Sequence, residues 1–477
     1  MKDLYCVILA AGLGTRMKSS LAKVLHPVAG RPMLMYTLDN VLALKPVKTA
    51  VVVGHQADRV KALLPPGVVP AFQKEQKGTA HAASVGLGRL GAASGTKGGA
   101  KGGASEGAGN TLLLVSGDTP LLGHETLKGL ISYHKRKKAD ITVLTAFLDD
   151  PSGYGRIVRE GGIIKKIVEQ KDATPSERDI CEINSGTYCF DIASLKKALS
   201  LVRSENAQGE FYLTDVIEIV QKNGGKVAGL PVDDPMVAMG VNSRTDLAVA
   251  EKEIRKKINR RLMGSGVTMT DPESTYISAD VKIGPDTIIH PGNHITGNTS
   301  IGSGCVLMPG NIISGSVIGG GVKVKGYSVI EDSRISERAE VGPFAHLRPG
   351  SVVGAEARVG NFVELKKAEI GEGTKASHLS YLGDAVIGRN VNIGAGTITC
   401  NYDGFSKFKT VIGDDVFVGS DTQFIAPVNI GNGALIAAGS TITKDVPDNA
   451  LALSRAPQMN RENWAKENRS RKFKQKK

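Results

Sequence analysis

Val281-Lys282-Ile283-Gly284-Pro285-Asp286-Thr287-Ile288-Ile289-His290-Pro291-Gly292 opens a stretch of the chain that counts in sixes. Ile283, Ile289, Ile295, Ile301, Leu307 and Ile313 recur at that spacing, as do Val341, Leu347, Val353, Val359 and Leu365. The series Ile412, Val418, Phe424, Ile430, Ile436 and Ile442 repeats it a third time. Neither the 3.6-residue period of a helix nor the two-residue period of a strand accounts for this. Glycine often follows the periodic residue, as in Ile301-Gly302 and Val359-Gly360. A hexapeptide repeat is the pattern of a parallel β-helix, in which one residue per six fills the core and small residues make the turns. With one hexapeptide per side, a coil takes about three. The expectation for residues 265–455 is an all-β solenoid.

At 477 residues the chain is too long for one ordinary domain. No run of about twenty apolar residues is present to span a membrane. The apolar start at 4–11 has only Lys2 as a basic flank, and Arg16 follows closely, so it reads as a buried first strand rather than a signal peptide. Five scattered cysteines, with no CxxC pair, suggest a reducing, cytoplasmic setting. The net charge of +13 invites a nucleic-acid reading, but the charge is not gathered on a recognition element and there is one Trp. Much of the excess lies beyond Arg461, in a basic tail over 456–477 that reads as a solvated end. Neither nucleic acid nor membrane is expected as a partner.

Upstream of the repeat, strands and helices alternate: strands at 4–11, 49–53, 112–115 and 141–147, and a helix at 33–44. This is the pattern of a Rossmann-like α/β domain over 1–243, with ligands at the carboxyl ends of its strands. Residues 86–110, rich in Gly, Ala, Ser and Lys, read as a flexible insertion, and the charged stretch 244–264 as a helical linker.

Leu9-Ala10-Ala11-Gly12-Leu13-Gly14-Thr15-Arg16-Met17 follows the first strand, with Lys23 just beyond. It is neither a Walker A loop nor GxGxxG. Its glycines let backbone N–H groups approach phosphates, and Arg16 and Lys23 bring positive charge. That suits transfer of a nucleotidyl group, where charge builds on phosphate oxygens. A plain strand–helix turn would look similar. Val115-Ser116-Gly117-Asp118 sets an acid at the end of a buried strand, as a Mg²⁺ ligand or as a helix cap. Together with Gln73, Gly78-Thr79, Gly153-Tyr154-Gly155-Arg156, Glu169, Asn184-Ser185-Gly186 and Gly240-Val241-Asn242, these motifs resemble the sugar-1-phosphate nucleotidyltransferases. Within them they resemble the uridylyltransferases of N-acetylglucosamine-1-phosphate. The resemblance implies Mg²⁺ on Asp118 and Asn242, and a UTP triphosphate neutralised by Arg16 and Lys23. It implies contacts to nucleotide and product from Leu9, Ala10, Ala11, Gly12, Ser116 and Gly117. Gln73, Gly78 and Thr79 would read the uracil, and Gly155, Glu169 and Asn184 the amino sugar. Ala22, where a Pro is often found, is a small departure.

In the later, interrupted part of the repeat, polar segments lie in neighbouring coils: Arg348-Pro349-Gly350, Lys366-Lys367, His378 to Asp384, Asn392 to Gly396 and Cys400 to Gly404. His378 alone reads as a surface histidine. Beside Arg348, Lys366 and Tyr381 it suits a base that takes a proton from an amine while cations hold a phosphate. These segments resemble the acetyltransferase half of the bacterial bifunctional uridylyltransferase/acetyltransferase family, and the match runs in order from Leu4 to about Arg455. That resemblance implies His378 as general base and glucosamine-1-phosphate on Arg348, Lys366, Tyr381 and Asn392. It implies acetyl-CoA against Ala395, Asn401, Tyr402, Ser420, Ala438 and Arg455, with Lys407 a weaker candidate nearby. A left-handed β-helix and a homotrimer with acetyl sites at subunit boundaries are also implied. Cys400 reads as structural. The rival expectation is a uridylyltransferase whose β-helix is only a trimerisation scaffold.

Overall fold

The computed structural model describes residues 3–91 and 110–474. The chain divides into two compact units, Met1–Arg255 and Lys256–Lys477. Helix Arg244–Gly264 crosses that division.

In the first unit seven strands make the main path of a sheet: β1 (Leu4–Ala10), β2 (Lys48–Val53), β3 (Val68–Phe72), β4 (Thr111–Ser116), β5 (Ile141–Phe147), β6 (Glu182–Asp191) and β7 (Val227–Pro231), in the order β7-β5-β6-β4-β1-β2-β3. All pair in parallel except β6, which is antiparallel to β4 and β5. The strands are apolar on both faces because helices cover both. In β4, Leu112 and Leu114 pack into one core and Leu113 and Val115 into the other. β1 lies between β2 and β4, so the loops after β1 and β4 open side by side at the carboxyl edge of the sheet.

The low-complexity reading of 86–110 is corrected at its start. Residues up to Leu90 belong to helix Thr79–Leu90, and Gly86 is buried against the sheet. A Cβ there would stand 2.7 Å from Val7 and 3.0 Å from Val52. Gly and Ala are present because the helix lies close on β1 and β2, and this small-residue packing hides the helical period. The remainder of that stretch, 92–109, lies outside the described residues.

The second unit is a parallel β-helix. Its three faces are sheets of eleven, ten and nine strands among the described residues. Each strand stacks on its counterpart one coil later: Ile289 on Leu307, then Val324, Val341, Val359 and Ala376. These periodic residues are buried, except that Ile283 on the first coil is half-buried. Polar corners are satisfied coil to coil. Asn293 accepts from the N–H of Asn311 at 3.3 Å, and Asn311 accepts from that of Ser328 at 2.9 Å. The coil from Ile393 to Val418 carries an extra loop, closed by a bridge between Tyr402 and Lys407. That loop is the largest break in the six-residue count, which elsewhere drops to five, as from Ile313 to Ile318 and from Ile330 to Ile335. The basic tail forms an exposed helix, Trp464–Lys474. No helix among the described residues is long and apolar enough to cross a membrane.

Candidate active sites

In the first unit a cavity of about 600 Å³ opens at the carboxyl ends of β1, β3 and β4. Leu9, Ala10, Ala11, Gly12, Gln73, Gly78, Thr79, Ser116, Asp118 and Lys23 line it. Lys23 reaches it because Gly14 has no side chain: with φ of 63°, a Cβ there would lie 2.7 Å from the Cβ of Lys23. The Lys23 ammonium donates to the Asp118 carboxylate and, at 3.0 Å, to Asn242 Oδ1. Burial alone would raise the Asp118 carboxyl, but the charge and hydrogen bond of Lys23 outweigh it and hold Asp118 below its ordinary value. Asn242 is anchored where its N–H donates to Asp246 Oδ2 at 2.9 Å, and Val241 N–H donates to the Asp118 carbonyl at 2.8 Å.

This donor set fits a hard divalent cation. One buried carboxylate and one amide oxygen converge on a point already held by a positive group. No cluster of three or more His, Cys, Asp or Glu exists among the described residues. Mg²⁺ here would therefore draw on water and substrate phosphate as well, as that ion commonly does.

Gly117 N–H is tied to the Leu9 carbonyl at 2.8 Å, which joins the two phosphate-side loops. Gln73 is buried, with Nε2 donating to the Gly78 carbonyl at 3.3 Å and 3.1 Å from His81 Nδ1. Thr79 Oγ1 accepts from Leu213 N–H at 2.9 Å. A second group gathers around Gly155: Asn184 N–H donates to its carbonyl at 2.9 Å, and a Cβ there would lie 3.5 Å from the Glu169 carboxylate. Burial raises the Glu169 carboxyl, partly offset by a bond from Thr214 Oγ1 at 3.2 Å. Arg16 does not line the cavity. It sits on an exposed turn with Nη1 3.7 Å from where a Cβ of Gly153 would be. Sequence reasoning missed Gln76 and Glu210, which also line the cavity. Gln76 Nε2 donates to the Ala11 carbonyl at 2.6 Å. The second Gln of Gln73-Lys74-Glu75-Gln76 was its signal.

On the β-helix the chosen residues fall along two edges of one face. His378, Ala395, Ser420 and Ala438 each stand two positions after a stacked core residue: Ala376, Ile393, Val418 and Ile436. They therefore form one line along the prism, a basic group followed by three small residues. Arg455 caps the line, its Nη1 donating to the Ala438 carbonyl at 2.6 Å. On the other edge, Arg348 and Lys366 follow the stacked pair Leu347 and Leu365. Arg348 Nη1 is 3.0 Å from Glu364 Oε1. Hydrogen bonding and charge from Lys407 hold Lys366 below the usual lysine range. Tyr381 lies across the face between the edges, and its hydroxyl would be 2.5 Å from a Cβ of Gly383, the register partner of Lys366. Asn392 projects from the neighbouring face, paired with Lys375. Asn401 Nδ2 donates to Asp384 Oδ2 at 2.5 Å, and Tyr402 hydroxyl to the Gly404 carbonyl at 2.5 Å. A single chain thus sets the cations and His378 at opposite edges rather than in one cluster.

An α/β sheet with a glycine turn, a lysine and a buried acid at its strand ends, joined to a hexapeptide prism, defines a nucleotidyltransferase fused to a hexapeptide acyltransferase. Comparison with known proteins gives the same division. Residues 6–152 match the MobA-like NTP transferase domain, 273–370 the GMPPB C-terminal domain, and 409–444 the bacterial transferase hexapeptide (six repeats). Over 467 residues the chain is 49% identical to the bifunctional protein GlmU of Pelobacter propionicus, covering 97% of this chain and 98% of that protein. It is 50% identical to that of Trichlorobacter lovleyi, covering 96% and 97%. The identity is 51% with that of an Exiguobacterium species, over 97% and 99%. The chain belongs to the GlmU family of bifunctional proteins, which carry uridylyltransferase and acetyltransferase activities. The match spans both units, so the reading of the β-helix as scaffold alone is not favoured.

Proposed function

We infer that the chain makes UDP-N-acetylglucosamine in two reactions, one per unit, with 1–243 and 265–455 as the working domains, 244–264 as linker and 456–477 as a basic tail. In the β-helix, acetyl-CoA and glucosamine-1-phosphate give N-acetylglucosamine-1-phosphate and CoA. In the α/β domain that product and UTP give UDP-N-acetylglucosamine and pyrophosphate. The observation that carries this reading is the convergence of Lys23 on Asp118 and Asn242 inside the first cavity. A buried acid held ionised at strand ends serves phosphoryl chemistry.

For uridylyl transfer, the main chain from Leu9 to Gly12, with Ser116 and Gly117, lines the nucleotide. Gln73, Gly78 and Thr79 hold the uracil, and Gly155, Glu169 and Asn184 grip the N-acetyl sugar. Asp118 and Asn242 would hold Mg²⁺, which when bound would supply charge neutralisation at the phosphates. Arg16 and Lys23 add fixed positive charge as the sugar phosphate oxygen attacks the α-phosphorus and pyrophosphate leaves.

For acetyl transfer, Arg348 and Lys366 hold the sugar phosphate, with Tyr381 and Asn392 on the sugar. His378 takes a proton from the amine as its nitrogen attacks the thioester carbonyl, and the CoA thiolate departs. Ala395, Ser420 and Ala438 leave a narrow track for the pantetheine arm, while Asn401, Tyr402 and Arg455 hold its far end.

The separation of cations from base within one chain favours a homotrimer, in which a neighbouring copy completes the site. An exposed ladder supports a subunit contact: Tyr327, Phe344 and Phe362, stacked at 5.6 and 5.4 Å, with exposed Leu379 on the next coil. Free thiols at all five cysteines support a cytoplasmic setting in a bacterium. The test is a pair of variants. His378→Ala loses acetylation and keeps uridylylation, and Asp118→Asn does the reverse; either variant losing neither activity contradicts the assignment.

A further inference from the structure

We propose that Asn361 is the positioning residue of the acetyl-transfer base, fixing His378 with its proton on Nδ1 and its lone pair on Nε2. The proposal rests on the reading of His378 as that base. Asn361 Oδ1 lies 2.9 Å from His378 Nδ1. An amide oxygen only accepts, so the imidazole must donate from Nδ1, and Nε2 is left as the basic atom. Among the described residues Nε2 has no protein partner in the structure and is free to face a substrate amine.

The pair is a product of the fold. Asn361 and His378 are register partners in the parallel pairing of Arg358–Asn361 with Lys375–His378. Register partners in a sheet point to the same side. At four residues each, these are the longest strands of the β-helix. Most others stop at two or three, so only here does pairing extend far enough to align a side chain with the base. Gly360 removes any slack: a Cβ there would lie 1.9 Å from the Ser377 carbonyl oxygen, so the backbones carrying the pair are pressed together. Both strands end at once, where Phe362 and Leu379 take φ of 56° and 43°. Asn361 also sits in the same line as His378, Ala395, Ser420 and Ala438, one coil earlier.

The charged groups that share a cavity of about 250 Å³ with this pair are Lys325, Glu340 and Arg358. Glu340 is engaged by Lys325 at 3.1 Å. The imidazole therefore meets a neutral amide instead of a carboxylate. That partner fixes tautomer and ring plane through an accepting oxygen alone, without placing a further negative charge beside the ring.

The experiment uses the full-length enzyme with Asn361→Leu, Asn361→Asp and His378→Ala. Nitrogen-15 NMR of the imidazoles is expected to give His378 as the Nδ1–H tautomer in the wild type and as a mixture in Asn361→Leu. Acetylation kcat in Asn361→Leu is expected to fall roughly 10- to 100-fold, as when an imidazole loses its orienting partner, with KM for glucosamine-1-phosphate little changed. Asn361→Asp keeps an accepting oxygen and is expected to retain the Nδ1–H tautomer. Uridylylation stays at the wild-type rate throughout, which reports the first unit intact, and the unchanged KM for glucosamine-1-phosphate in Asn361→Leu reports the β-helix site intact. An Nε2–H tautomer in the wild type, or wild-type acetylation kcat in Asn361→Leu while His378→Ala is inactive, overturns the proposal. Full acetylation by His378→Ala overturns the base assignment itself.

Discussion

Asp215, at the first turn of helix Asp215–Lys222, is a half-buried acid pushed up to about 6, chiefly by burial and then by Glu218 and Asp172. Its folded value lies above the unfolded one, so its ionisation opposes folding. The penalty is absent below about pH 4, grows as pH rises through about 6, and is complete above it. Asp215→Asn is therefore expected to stabilise the protein at pH 7.5 by roughly 1 kcal/mol, discounted for solvent screening, and to change little at pH 4. Thermal or urea unfolding at the two pH values checks it, and equal effects at both would refute it. The neighbouring Thr214 bonds Glu169, so this raised acid borders the residues proposed to grip the sugar. At this scale the sequence singles out residues whose type states a chemistry, as with Asp118, Lys23 and His378. It could not show that Lys23 rests on Asp118 and Asn242, because those three residues meet only through the parallel order of β1 and β4 and the return of the chain at Gly240. Nor could it show Asn361 facing His378, a contact set by β-helix register.

At the scale of the element, Gly86 tests the small-residue packing of helix Thr79–Leu90 on the sheet. Gly86→Val puts new carbon where a Cβ already falls 2.7 Å from Val7, and overpacking of this kind costs about 1–3 kcal/mol. A lowered melting temperature with β-helix activity retained is expected; an unchanged melting temperature would mean the helix lies farther from β1 than described. Here the amino-acid pattern misled, because a helix that packs through Gly and Ala carries little apolar periodicity. The strands were legible where they are continuous apolar runs, and 141–147 was placed to the residue as Ile141–Phe147. The hexapeptide count was the clearest signal of all, since each repeat must bury the same position. Its one large break, between Ile393 and Val418, is the loop that carries Tyr402 and Lys407.

Across the whole molecule, two chemistries lie on one chain, and the proposed homotrimer bears on the second of them. The cavity of the first unit is lined by residues of a single chain. The β-helix sets Arg348 and Lys366 on one edge and His378 on the other. Dilution that separates subunits is therefore expected to lower acetylation per chain while uridylylation per chain holds. Sedimentation across the same concentrations checks this, and parallel loss of both activities would count against a shared acetyl site. The central claim is tested most directly by product analysis of one mixture: purified enzyme, glucosamine-1-phosphate, acetyl-CoA, UTP and Mg²⁺. UDP-N-acetylglucosamine appearing with free CoA and pyrophosphate is the predicted result. Product formed only when N-acetylglucosamine-1-phosphate is supplied would contradict it, leaving the β-helix without its reaction.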